Sequence, residues 1–125
     1  MKCNRYLCAL LILTLFMSLI FSLSPANTTN GLLVNDKLAH FFGYFILMML
    51  LDFAYLSGRH QIFKICLVVS YSVAIEVVQN FIPGREMSLY DGLANMLGVL
   101  SFVCLLPCIQ KLQLYRRSIK LRYDN

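Results

Sequence analysis

The sequence predicts an all-α fold: a membrane-embedded up-and-down bundle of four helices with both termini in the cytoplasm. Three observations carry this. Hydrophobic residues make up 59% of the 125-residue chain and charged residues only 14%, whereas soluble domains are about a quarter charged. The apolar residues fall into four runs, about 6–23, 38–56, 62–82 and 89–109, each near or above the roughly 20 residues that span a bilayer as a helix. Lys and Arg crowd the ends that such a bundle would place on one side.

The first run follows Lys2 and Arg5 and stops at Ser24-Pro25 and the polar stretch from Asn27 to Gly31. Its small residues Ser22, Ser24 and Ala26 also suit a signal-peptide cleavage site. The run is long for such a peptide, which favours a membrane anchor; cleavage would leave three helices with an outer N-terminus. Asn27-Thr28-Thr29 matches a glycosylation sequon, a pattern without weight unless the host is known. The second run ends at Ser57-Gly58 and the third at Pro83-Gly84, both turn signals. Connections this short set consecutive helices antiparallel and adjacent. The fourth run leads into a basic tail, 110–125. At this length the chain is one domain, 1–125, with no room for a separate soluble catalytic unit.

With the N-terminus inside, Lys2, Arg5, Arg59, Lys64, Lys111, Arg116, Arg117, Lys120 and Arg122 lie at cytoplasmic ends, against Lys37 and Arg85 outside. The tail reads as a topology signal resting on anionic lipid headgroups. No nucleic-acid-binding motif accompanies it, so no nucleic acid partner is expected. Cys3, Cys8, Cys66, Cys104 and Cys108 all fall on the inner side or inner halves of helices, where thiols are expected to stay reduced.

Polar residues interrupt the apolar runs in three places. Asp36, Lys37, His40 and Tyr44 open the second helix; Glu76 and Gln79 lie late in the third, with Arg85 beyond it; Ser88, Asp91, Asn95 and Gly98 open the fourth. Spacings of three and four put each set on one helix face. At about 1.5 Å per residue, Tyr44, Glu76 and Asn95 form one expected layer, with His40, Gln79 and Asp91 a turn above it. Ionisable groups facing lipid are penalised, so the three stripes are expected to turn toward one another around an outward-opening pocket. Plainer roles exist for several of them. Ser88 and Asp91 fit a capping box, Gln79 and Asn95 fit interhelical hydrogen bonding, and Gly43 and Gly98 fit close helix approach. Asp52, near an inner end, suits snorkelling or pairing with Arg59 or Lys64.

Asp-Lys-x-x-His-x-x-x-Tyr from Asp36, Glu-x-x-Gln from Glu76 followed by Pro-Gly-Arg, and Ser-x-x-Asp-x-x-x-Asn-x-x-Gly from Ser88 together resemble the VanZ-like family of small bacterial membrane proteins. The resemblance runs from Asp36 to about Phe102. It departs where many members carry a further glycine and this chain has Ser101-Phe102. It implies a multi-pass protein of the bacterial cytoplasmic membrane, linked to the cell envelope and, through the family's name, to teicoplanin-type glycopeptide tolerance. It implies no settled reaction.

Two functional classes follow, beside a purely structural small-subunit role. In one, Asp36, Lys37, His40, Tyr44, Glu76, Gln79, Arg85, Ser88, Asp91 and Asn95 bind a polar or anionic headgroup, of a membrane lipid or a lipid-linked envelope precursor, with Arg85 and Lys37 attracting the anion. In the other, the same pocket is a membrane hydrolase or transferase whose catalytic candidates are His40, Glu76 and Asp91. No Gly-x-Ser-x-Gly, His-Glu-x-x-His or P-loop supports the second class. No cofactor is expected and no metal site is assigned, because the sequence does not fix the geometry of a His40, Glu76 and Asp91 ligand set across separate helices.

Overall fold

The structure, a computed structural model, describes the backbone of residues 5–23, 33–55, 60–82 and 88–123. Within them the chain is all-helical, with α1 (Arg5–Leu23), α2 (Leu33–Ala54), α3 (Gln61–Gln79) and α4 (Leu89–Tyr123) and no strand. Three helices are long and apolar enough to cross a membrane, over Asp36–Ala54, Gln61–Gln79 and Leu89–Arg116, and α1 adds a shorter apolar stretch, Arg5–Ile20. No more than 33% of the most apolar part of these three spans is buried in the bundle. Their outer faces, with Phe63, Val77, Leu93 and Leu105 exposed, are far too oily for water and suit lipid.

The second helix ends at Ala54 rather than 56 and the third at Gln79 rather than 82, and two boundaries differ more widely from the sequence reading. The second helix begins at Leu33 rather than 38, taking in Asp36, whose carboxylate in the first turn complements the N-terminal end of the helix dipole. The fourth passes Pro107 and continues to Tyr123, so the basic tail extends the helix. Its Leu, Gln, Lys and Arg are all good helix formers, and nothing breaks the helix after the apolar residues end.

The second helix is the hub. It packs most extensively on α4 and also on α1 and α3, while α3 touches both α4 and α1. Leu47, Met48, Leu50 and Ala54 of α2 meet Val68 of α3, Val99, Phe102 and Leu106 of α4, and Leu11 of α1 in one core. Met48 and Phe102 are fully buried. Phe102 sits edge-on to Phe45 and Phe53, at 5.8 and 6.1 Å between ring centroids. An aromatic ring thus fills the turn where the resembled family tends to have glycine.

At Gly98 the backbones of α2 and α4 come close. A Cβ there would lie 2.2 Å from the Phe41 carbonyl oxygen and 3.0 Å from the Phe45 nitrogen. Gly43 has no such role, since a Cβ there meets nothing within 4 Å.

At the far end of the bundle from residue 36, Lys64 Nζ bonds Asp52 Oδ1 at 2.7 Å. Both side chains are buried, so Lys64 acts inside the bundle and Asp52 pairs rather than snorkels. Tyr71 ties α3 to α1, its hydroxyl 2.9 Å from the Leu15 carbonyl oxygen and 2.8 Å from Ser18 Oγ. Cys66, Cys104 and Cys108 are free, but Cys8 is disulfide-bonded, against the expectation of reduced thiols throughout. Compartment arguments concern which state persists in a cell and do not see the local geometry that brings two sulfurs together.

Candidate functional site

Polar side chains from α2, α3 and α4 meet at one end of the bundle, opposite the Asp52–Lys64 pair. Antiparallel packing brings together the start of α2, the end of α3 and the start of α4. On α3 a single stripe of Lys64, Val68, Ser72, Ile75, Glu76 and Gln79 is buried, at the three-and-four spacing of one helical face. The same stripe therefore supplies both the distant ion pair and this polar layer.

Asn95 of α4 is the centre of the layer. Its Nδ2 donates to Ser72 Oγ at 2.8 Å and lies 3.4 Å from Glu76 Oε1, while its Oδ1 faces His40 Nδ1 at 3.1 Å. Ser72 Oγ in turn donates to Glu76 Oε1 at 3.5 Å. Directionality settles the imidazole. The amide nitrogen is held by two acceptors, so the amide oxygen must accept from His40. The hydrogen then sits on Nδ1 and the Nε2 lone pair is left for something else.

Glu76 is buried on α3 and reaches across to Gly92 of α4. A Cβ at position 92 would lie 2.9 Å from Glu76 Oε1 and 3.2 Å from Oε2, so the missing side chain is what makes room for the carboxylate. No described cation forms an ion pair with Glu76. Lys37 is engaged with Asp91, Nζ to Oδ1 at 3.2 Å, and lies 5.6 Å from the centre of the Tyr90 ring. Asp36 is exposed on the rim beside His40.

Two clefts flank this network, both lined mostly by apolar groups. One, of about 350 Å³, runs between α1 and α2 past Ser18, Asp36, His40 and Tyr44. The other, of about 400 Å³, runs between α3 and α4 past Ser72, Glu76, Asn95 and Tyr44. Tyr44 borders both. It is only 4% exposed, and its hydroxyl lies near Ser72 but makes no well-formed hydrogen bond among the described residues. Native proteins rarely leave a buried hydroxyl without a well-formed hydrogen bond.

The expected residues do not all join this network. His40, Glu76 and Asn95 form it, with Tyr44 below and Asp36, Lys37 and Asp91 at the rim. Gln79 instead donates from Nε2 to the Ser22 carbonyl oxygen at 2.9 Å, joining α3 to α1. The Ser88 carbonyl accepts the backbone N–H groups of Asp91 and Gly92 at 3.0 and 3.3 Å and so starts α4. Arg85 lies outside the described residues. The expected layering is also offset: His40 bonds Asn95, not a partner at the level of Asp91. The early start of α2 explains this, since five more residues carry His40 about 7.5 Å further from the helix end.

Ser72 and Gly92 escaped the sequence reading. Ser72 lies four residues before Glu76 on the same face, a spacing visible in the sequence. Gly92 stands beside Asp91 and three before Asn95, and only the position of α3 reveals why it must be small.

Chemically, the layer offers a carboxylate, a hydroxyl and an imidazole whose tautomer is fixed, at the edge of two apolar clefts. His40 and Glu76 do not touch; Asn95 bridges them. Asp91 is tied to Lys37. The arrangement can bind a group with donors and acceptors.

No family model matches the chain, and no solved structure matches it. It is similar to an uncharacterized protein of Schizosaccharomyces pombe (strain 972 / ATCC 24843), with 26% identity over 115 residues, covering 90% of this chain. The chain spans 66% of that relative's length.

Proposed function

We propose that this chain is a VanZ-like integral membrane protein that holds the polar headgroup of an amphiphilic ligand against the Ser72, Glu76, His40 and Asn95 layer. The buried Tyr44 hydroxyl, which borders both clefts and makes no well-formed hydrogen bond among the described residues, carries this reading. Apolar cleft walls suit a lipid chain, and the polar layer suits its head. Asp36, Glu76 and Asp91 face a single described cation, Lys37, already paired; this favours a headgroup rich in hydroxyls or amines over a purely anionic one. A lipid-linked envelope precursor meets that description. The bacterial membrane and teicoplanin tolerance rest on the resemblance, and the fission-yeast relative adds no support to either.

The test is retention of lipid by the purified protein. Native mass spectrometry of protein released from mixed-lipid nanodiscs is expected to show one headgroup class retained, and Glu76→Gln and His40→Gln to lose it. Tyr44→Phe separates ligand from fold. Removing an unmatched buried hydroxyl leaves thermal stability unchanged or raised by about 1 kcal/mol, while headgroup retention falls. Equal retention of all lipids, unaltered by these three variants, would overturn the proposal.

The same reading places both termini in the cytoplasm and the polar layer on the outer side. Lys64 is consumed in the bundle, yet eight of the nine inner cations remain against Lys37 and Arg85. In a cysteine-free background, a cysteine at Asn80 is expected to react with a membrane-impermeant thiol reagent from outside intact cells. Cysteines at His60 and Gln113 are expected to stay unlabelled until the cells are opened. The reverse pattern would invert the protein in the membrane.

A further inference from the structure

We infer that Asp36, His40 and Asp91 form a divalent-metal site at the rim of the bundle. One ligand atom from each lies within 4.8 Å of the other two. Asp36 and His40 are one turn apart on α2, and Asp91 comes from α4. An imidazole with two carboxylates suits zinc or another first-row divalent ion better than calcium or magnesium, which prefer all-oxygen sites. For metal–ligand bonds of about 2.1 Å, tetrahedral ligand atoms lie about 3.4 Å apart, so rotation of exposed Asp36 and half-buried Asp91 closes the site.

Three features outside the ligand set point the same way. Asn95 accepts from His40 Nδ1, the arrangement that orients a metal-binding imidazole and leaves Nε2 to the ion. Lys37 Nζ stands 3.2 Å from Asp91 Oδ1, so a cation already occupies part of the position and a metal ion would displace it. The cleft lined by Asp36 and His40 is also lined by Tyr44, whose buried hydroxyl makes no well-formed hydrogen bond among the described residues. Three protein ligands leave at least one coordination position open, for water or an oxygen of whatever occupies the cleft. This inference is independent of the headgroup reading: the site can bind metal whether or not a lipid is held.

The test is calorimetric titration of the full chain, reconstituted in nanodiscs and stripped with chelator, with Zn²⁺ alone. One ion per chain is expected. Asp36→Asn, His40→Gln and Asp91→Asn are each expected to weaken binding by about tenfold or more, and Asn95→Ala, which touches no metal, by about 10–100-fold. Lys37→Met is expected to tighten it, because the competing ammonium is gone. His60→Gln, at the far end of the bundle, is the control and should bind as the parent does. Asp36 makes no described hydrogen bond, so Asp36→Asn tests the site without endangering the fold. Unchanged binding in Asp36→Asn and His40→Gln, loss in His60→Gln, or no uptake by the parent chain would each overturn the inference.

Discussion

Gly98→Ala is expected to be among the most damaging single-methyl changes in this protein. The added carbon would stand 2.2 Å from the Phe41 carbonyl oxygen and 3.0 Å from the Phe45 nitrogen. Both are backbone atoms, so no side-chain rotation relieves the clash and α4 must move away from α2 by about 1 Å. That movement loosens Val99 and Phe102, which lie in the best-buried part of the core. Overpacking of a tight core costs about 1–3 kcal/mol, and more where backbone must shift, so a loss of about 3 kcal/mol is expected here. Gly43→Ala is the matched comparison. Its Cβ has open space, and alanine in a helix is worth about 0.5–1 kcal/mol over glycine, so this variant is expected to be neutral or slightly stabilised. Thermal denaturation of both in one detergent, followed by circular dichroism, checks the pair; similar melting would refute the close approach at Gly98.

Lys64→Met is expected to cost about 3–5 kcal/mol, because it leaves the Asp52 carboxylate buried without its partner. The pair is short, 2.7 Å, and its side chains are only 4% and 10% exposed. Asp52→Leu combined with Lys64→Met is expected to recover most of the loss, since an apolar pair of similar volume has no charge to desolvate. The double-mutant cycle then gives a large coupling. Lys37→Met is expected to cost under about 1 kcal/mol in the metal-free protein, since the Lys37 side chain is 41% exposed. If Lys64→Met were as mild as Lys37→Met, the Asp52–Lys64 pair would not be the buried contact described above.

Helix number and type were legible because composition and run length answer them directly. An apolar run of about 20 residues can satisfy its backbone only as a helix in a membrane. The convergence of His40, Glu76 and Asn95 was legible too, since a three-and-four spacing fixes a face and antiparallel packing fixes an end. Register was not. His40 bonds Asn95 as well as standing within 4.8 Å of Asp91, because α2 starts at Leu33, within a polar stretch where hydropathy marks no boundary. Ser72 was hidden and Lys64 only half legible, named as a partner for Asp52 but also counted as a cytoplasmic charge. A serine among apolar residues looks like filler, and a lysine near a helix end looks like a topology charge. Gly92 shows the limit of face arguments, since its requirement for smallness comes from a carboxylate on another helix.

The two polar layers have a consequence for how the bundle fits a bilayer. Twelve residues separate His40 from Asp52 on α2, and twelve separate Lys64 from Glu76 on α3. At about 1.5 Å per residue these pairs stand about 18 Å apart, and Tyr44 and Ser72 reach in from the polar layer to leave about 12 Å of apolar interior, against about 30 Å of hydrocarbon in a bilayer. In polarity the protein is an hourglass, oily over the full height of its outer faces and over less than half of it within. Tolerance of thin or thick membranes is therefore set by outward residues such as Phe63 and Leu105, with the interior indifferent. Moving this protein between membranes of different thickness is a matter of recolouring its outer surface, and the polar layer can be left untouched.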